Sequence, residues 1–459
     1  MWDDWVIAGE KIVFPTGTAP GWIHILDGVI AAVGTIGDPM PASRLFHVAD
    51  RVVLPGLVDP HVHVNEPGRT QWEGYETATR AAAAGGTTTI VDMPVYSLPP
   101  TTTVAALEKK RKATKTLTVD VAFWGGIVLD NRDELAGLAA EGVAGFKAFL
   151  TSSGVDEFGW LNARALEAAA EAVADLGLPL IVHAEDLQTL AAPRRRFSAL
   201  PPSERRTYRS YLESRPSHAE DRAVATLIEA SRRFGVPVHV SHLASADSVT
   251  MIASAQREGL AVSAETCPHY LVFSAEDVPE GATVFKCAPP IREERHRLGL
   301  WQALIDGSIS VVASDHSPSP PDLKALDSGD FGEAWAGIAS LELRLPLLWT
   351  AGQPFSIQLE DLALWLATAP ARLAGIDTHK GEIAVGKHAD LAVFDTGATW
   401  TVAGAELHQR HPLTPYDGME VRGRVTETFL RGQPVFADDN LSHDMLGTRL
   451  LRDLPIRSS

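Results

Sequence analysis

Between residues 55 and 375, short β-rich runs alternate with stretches rich in Ala, Leu, Glu and Arg, and the alternation repeats eight times. The strand candidates are Val52–Asp59, Thr87–Met93, Val119–Ile127, Gly145–Leu150, Pro179–Val182, Pro237–Ser241, Ala261–Glu265 and Ser310–Ser314. Parallel strands need long crossovers, usually helical, so eight βα units in one run predict an α/β fold, a (β/α)8 TIM-like barrel. A doubly wound sheet would alternate in the same way, but no GxGxxG follows any of these strands to support a dinucleotide site.

The flanks read differently. Residues 1–54 carry short apolar runs between turn signals, Trp5-Val6-Ile7, Lys11–Phe14 and Trp22–Leu26 among them. Similar runs return in residues 376–459 at Glu382–Val385, Asp390–Phe394, Trp400–Val402, Val425–Leu430 and Pro434–Phe436. The two sets are expected to pair into one small β-sandwich built from both chain ends. The basic, Pro- and Ser-containing segment Arg194–Arg215 reads as a solvated loop in preference to a substrate lid, and Ser217-His218-Ala219-Glu220 as a capping box opening a helix.

Composition removes several classes of function. With 58 acidic and 40 basic residues the net charge is −18, which repels phosphates at long range and argues against nucleic acid and anionic membranes as partners. No apolar run approaches the roughly 18 residues of a membrane span, and the acidic start Met1-Trp2-Asp3-Asp4-Trp5 precedes no apolar core of signal-peptide length. The two cysteines, Cys267 and Cys287, form no CxxC pair, so structural thiolate zinc is excluded and a reducing, cytoplasmic location fits.

Sixteen histidines remain to be explained. His61-Val62-His63 follows the first strand of the repeat, and residues i and i+2 of a strand point the same way, so both imidazoles can reach one ion. An HxH pair alone is more often structural or accidental. Here, however, Lys147 lies in the fourth strand, His183 and His242 end the fifth and sixth, and Asp315 ends the eighth. These are the carboxyl ends of the strands, where barrel active sites are built. His239 competes with His242 as a ligand; a separation of three puts them on opposite strand faces, and His242, nearer the strand's end, is preferred. Lys147 stands in an apolar strand, where it either pairs with a carboxylate or has its pKa lowered enough to capture carbon dioxide as a carbamate. Asp315 has a turn-forming role and a role as metal ligand and general base open to it. Trp72, Trp124, Trp160 and Trp335 fall near strand-end loops, where packing is favoured over ligand stacking.

In order along the chain, Pro55-Gly56-Leu57-Val58-Asp59-Pro60-His61-Val62-His63, Gly145-Phe146-Lys147-Ala148-Phe149, Val182-His183-Ala184-Glu185, Ser241-His242-Leu243, Glu265-Thr266-Cys267-Pro268-His269-Tyr270, Lys286–Arg292, Ser314-Asp315-His316-Ser317-Pro318 and Gly381–Asp390 resemble the motifs of the cyclic amidohydrolases. The last of these mimics a GxxxxGK phosphate loop, but His388 holds the Ser/Thr position and β runs flank it, so a nucleotide site is rejected. Within the family, Val64-Asn65-Glu66-Pro67-Gly68-Arg69-Thr70 resembles the allantoinase branch most closely. Dihydroorotases usually carry arginine where Asn65 stands, and exchanging guanidinium for carboxamide removes a charge-assisted contact to a carboxylate, which suits a neutral ring such as allantoin.

The resemblance implies two metals per subunit, zinc before cobalt, manganese or iron. His61, His63, Lys147 as N6-carboxylysine (from carbon dioxide or bicarbonate) and Asp315 would hold one, and Lys147, His183 and His242 the other. It further implies hydrolysis of a small-molecule cyclic amide, Asp315 as proton shuttle, substrate contacts at Asn65, Ala288 and Ser317, support from His269, His316 and Arg69, and a homotetramer. The alternatives are another ring, as in dihydropyrimidinases, hydantoinases or dihydroorotases, and a non-catalytic assembly protein of the same fold.

Overall fold

A computed structural model describes residues 3–452. The first two residues of the N-terminal segment and the last seven of the C-terminal segment lie outside them.

The eight barrel strands are Leu57–Val62, Thr87–Asp92, Asp120–Phe123 (continued at Gly125–Gly126), Phe146–Phe149, Leu180–His183, Val238–Val240, Val262–Thr266 and Val311–Val312. All their pairings are parallel. The ring closes where Val62 bridges His316 beyond the eighth strand, with His63 N–H donating to His316 O at 2.9 Å. Most of these strands are buried along their whole length, as expected when helices cover the outside and side chains fill the inside.

The helices form for legible local reasons. In Ala163–Leu176 the Asn162 side chain caps the start by accepting from Ala165 N–H, and Gly177 ends it at φ 66. Its buried face is Leu166, Ala169, Ala170 and Val173, the i, i+3, i+4, i+7 stripe of a core-facing helix.

Strands from both chain ends make the flanking β-sandwich. Asp4–Phe14, Gly17–Leu26 and Val29–Thr35 pair in sequence, Arg44–His47 and Val52–Pro55 run parallel to the first, and Leu391–Thr401, Glu420–Leu430 and Gln433–Ala437 continue from Val52–Pro55. The long first strand candidate is therefore two strands, one per layer, hinged at Gly56. A Cβ at Gly56 would lie 2.5 Å from Thr88 Oγ1, so only glycine lets the chain pass between the layers. Glu382–Val385, expected as a strand, is irregular backbone; its exposed Val385 gains nothing from pairing.

Two other local expectations change. Arg194–Arg215 is not a loop: Leu187–Ser198, Pro202–Arg205 and Tyr208–Ser214 are helical, the first capped by Asp186 and the last by Thr207. Ser217 makes no cap, because Glu220 turns inward to Arg292 and to the N–H groups of Ala244 and Ser245. Among the described residues no helix is long and apolar enough to cross a membrane.

Candidate metal centre and active site

A cavity of about 310 Å³ opens at the carboxyl ends of the barrel strands. His61, His63, His183, His242 and Asp315 face it. His61 is the last residue but one of the first strand, His183 ends the fifth, and His242 and Asp315 lie just beyond the sixth and eighth. His242 and Asp315 adopt φ values of 38° and 46°, left-handed conformations that cost non-glycine residues free energy and cluster at functional sites.

His61 Nε2 and His63 Nε2 converge on Asp315 Oδ1 at 3.3 and 3.4 Å. The ligand atoms of these three residues lie within 4.8 Å of one another. Across the cavity His183 Nδ1 faces His242 Nε2 at 3.1 Å. Lys147 Nζ, fully buried in the fourth strand, donates to Ser241 Oγ at 2.6 Å. Among the described residues no carboxylate forms an ion pair with Lys147, so the pairing alternative is not what the structure shows. Burial lowers its pKa to about 8, against the pull of Glu265 and Asp315.

Carboxylates behind the histidines fix which nitrogen faces inward. Glu185 Oε2 lies 2.7 Å from His183 Nε2, and Glu265 contacts His61 Nδ1. An ionised carboxylate only accepts, so Nε2 of His183 and Nδ1 of His61 carry the protons, and the opposite nitrogens present lone pairs to the site. Against the cost of burial, Arg215 and His183 hold the Glu185 carboxyl well below the usual range. Against the same cost, His61 and His239 do so for Glu265. Asp315, buried likewise, is held low by His61 and His63. Burial pushes His63 down to about 4 and His242 well below its ordinary value.

His239 is placed elsewhere. Its Nδ1 meets Ser263 Oγ at 2.8 Å and its Nε2 meets Glu265 at 3.2 Å, inside the strand layer and away from the cavity. Ala288 and Ser317 line the cavity. Asn65 does not; it is buried at φ 65, and neither amide atom has a hydrogen-bond partner. His316 meets Glu73 at 3.3 Å, and Arg69 pairs with Glu157 at 2.5 Å.

Several lining residues escaped the sequence reading. Arg194, Phe197, Tyr211 and Arg215 come from the helical cover after the fifth strand, whose basic composition resembles a solvated loop. Tyr96 packs on His63 with ring centroids 5.0 Å apart, and Trp335 stacks edge-on to Tyr96 at 5.6 Å, so one of the four loop-end tryptophans does line the site. Glu185 and Glu265 are detectable in sequence, since Glu185 follows the fifth strand and Glu265 lies near the end of the seventh, both on the active face.

The sequence profile of the amidohydrolase family matches residues 52–435, the whole barrel and much of the sandwich. The chain belongs to the amidohydrolase family. It is 48% identical to an allantoinase of Streptomyces avermitilis over 94% of this chain and 95% of that one. It is 43% identical to the allantoinase of Saccharomyces cerevisiae over 94% and 92%. Among solved structures it resembles the L-hydantoinase (dihydropyrimidinase) of Arthrobacter aurescens, with TM-score 0.93, 30% identity and coverage of 98% and 100%.

The amidohydrolase family implies a binuclear metal centre, and the residues here fit one. Besides the converging lone pairs, His63 Nδ1 and His242 Nδ1 are buried without partners. Four imidazoles, a carboxylate and a lysine with no ion-pair partner among the described residues crowd one small volume, a donor set that suits dications once the lysine is neutral.

Proposed function

We propose that this chain is a metal-dependent allantoinase, which hydrolyses the cyclic amide bond of allantoin and opens the ring to allantoate. The observation that carries the reading is the meeting of His61, His63 and Asp315 at the cavity floor, in a chain 48% identical to an allantoinase along almost its full length. His61, His63, Asp315 and carboxylated Lys147 would hold one metal, and Lys147, His183 and His242 the other. Metal bound there, zinc in this proposal, polarises a carbonyl and lowers the pKa of water.

The chain's own residues supply the rest. Asp315 is a carboxylate at neutral pH, so it accepts a proton from the attacking water and returns it to the leaving ring nitrogen, which departs only when protonated. Neutral Lys147 adds its amine to carbon dioxide and releases one proton; the lowered pKa keeps a share of that amine neutral. Glu185 and Glu265 keep His183 and His61 in the tautomers that face the site. The proposed substrate contacts are Ser317 and the backbone of Ala288, neutral groups suited to an uncharged ring; Asn65, buried outside the cavity, is not among them. A cytoplasmic homotetramer belongs to the same proposal, and the two free, buried cysteines agree with a reducing compartment.

Allantoin turnover and metal content measured on one preparation test this reading. The expected result is two metals per chain and conversion of allantoin to allantoate. Intact allantoin alongside opening of dihydrouracil, hydantoin or dihydroorotate would assign another ring, and no bound metal after supplementation would point to an assembly role.

A further inference from the structure

The seventh barrel strand, Val262–Thr266, runs into Cys267-Pro268-His269. Neither Cys267 nor His269 has a part in the reaction above. Both are fully buried. The Cys267 sulfur, a ring nitrogen of His269 and a carboxylate oxygen of Asp315 lie within 4.8 Å of one another. Neither nitrogen of His269 has a hydrogen-bond partner, although leaving a buried polar atom unpaired is costly. Among the described residues no lysine or arginine hydrogen-bonds to Cys267, His269 or Asp315. By contrast, the comparable trio of Asp120, His388 and Asp390 has Lys380 bonded to both of its carboxylates.

We propose that Cys267, His269 and Asp315 form a third cation site beside the binuclear centre, which takes a thiophilic divalent cation and thereby stops the enzyme. Sulfur, imidazole and carboxylate together select cadmium or excess zinc over magnesium or calcium. On binding, the Cys267 S–H bond is exchanged for a sulfur–metal bond and the proton leaves to solvent, with no change of oxidation state. Inhibition follows because the added cation claims Asp315, whose carboxylate can no longer shuttle a proton. The binding stands on geometry; only the inhibition rests on the role proposed for Asp315, and the two are read separately.

The test titrates cadmium chloride into protein already holding two metals, following total metal, the near-ultraviolet thiolate-to-cadmium absorption and allantoin turnover. One additional cadmium should bind without loss of the resident metals, the absorption should rise with it, and turnover should fall in step. Cys267→Ser should keep its resident metals and its turnover without cadmium, while the additional site weakens by roughly 10–100-fold or more, as for other losses around a metal. His269→Gln should weaken cadmium binding in the same direction and provides a second handle if the serine variant folds poorly. Cys287→Ser should change nothing. Displacement of resident metal by cadmium, survival of the additional site in Cys267→Ser, or its loss in Cys287→Ser would each overturn the proposal. If allantoin is not the substrate, binding and absorption still decide the matter.

Discussion

The barrel carries two clusters of buried ionisable groups that look alike in composition and differ in how their charges are answered. Where barrel meets sandwich, Asp120, His388 and Asp390 bring ligand atoms within 4.8 Å of one another, as His61, His63 and Asp315 do at the cavity floor. At the junction, Lys380 donates to Asp120 at 2.6 Å and also to Asp390, Arg431 donates to Asp120 at 2.6 Å, and Thr448 N–H adds a bond at 2.7 Å. At the cavity floor the lysine faces a serine, and imidazole nitrogens of His63, His242 and His269 have no partner. In the first cluster both carboxylates are answered by cations, although His388 Nδ1 has no partner. In the second the lysine meets only a hydroxyl and the Asp315 carboxylate only imidazoles, and that distinction, more than the residue types, separates a structural tie from a metal centre.

The largest effect that tests the contrast belongs to Lys147. Lys147→Ala should bring bound metal below one per chain and turnover to background, with partial rescue by short carboxylic acids that replace the carbamate oxygens. Lys147→Arg keeps a positive charge but cannot be carboxylated, and should be equally inactive. An active Lys147→Ala variant with two metals would remove the carbamate from the site. At the junction the corresponding change, Lys380→Met, leaves Asp120 and Asp390 buried without their shared cation. It should cost about 3–5 kcal/mol of folding stability, read as a lower urea midpoint, while metal content per folded chain stays the same.

The sequence made one cluster legible and hid the other. His61, His63, Lys147, His183, His242 and Asp315 sit at equivalent places in a repeated βα pattern, so their shared face could be read from position alone. Asp120, Lys380, Asp390 and Arg431 come from a barrel strand and from the C-terminal region, and no local pattern announces a contact between residues so far apart in the chain. Partial legibility has its own cause at the helical cover. Arg194 and Arg215 look like solvated charge in sequence because composition reports polarity, not what packs over it; Arg215 is in fact buried against Glu185. The split of Val52–Asp59 into two strands was missed because an unbroken apolar run carries no mark where one layer hands over to the other, except Gly56.

The cavity-floor histidines and the junction's Asp120 should also respond to pH in separate windows. In the metal-free protein, burial lowers His63 from 6.5 to about 4, and His183 and His242 shift the same way. Between those values the unfolded chain binds more protons than the folded one, so stability falls as pH drops from 6.5 towards 4. His63 alone contributes about 3 kcal/mol across that window. For Asp120 at the junction the sign is the same and the window lies lower. Lys380 and Arg431 outweigh burial and hold Asp120 below its ordinary 3.8. Its contribution is therefore present above 3.8 and lost only as pH falls through the lowered value. Urea midpoints of metal-free protein should fall clearly between pH 7 and 5, and Lys380→Met should lower both midpoints and slightly narrow their difference, because burial and Lys380 also hold His388 below 6.5. A midpoint that does not move would mean that the histidines are not held as described.

The smallest effect is the most diagnostic, because it changes a charge near the metal centre without touching a proposed ligand. Glu185 accepts from His183 Nε2 at 2.7 Å and from Arg215 Nε at 3.0 Å, with a further Arg215 bond to Oε2. Both of its oxygens therefore face donors. Glu185→Gln replaces one oxygen with an amide NH2, which meets an N–H in either orientation. Either the imidazole loses its anchor, and with it the tautomer that turns Nδ1 inward, or Arg215 loses half of its fork. Metal affinity, measured by chelator competition, should fall by roughly 10–100-fold while the fold is kept. Asp390→Asn makes the same exchange at the junction and should leave metal affinity unchanged, because no metal-facing imidazole depends on that carboxylate. Equal effects from the two variants would erase the distinction between them. An effect confined to Glu185→Gln would show that the partners missing at the cavity floor are missing by design of the residues behind it.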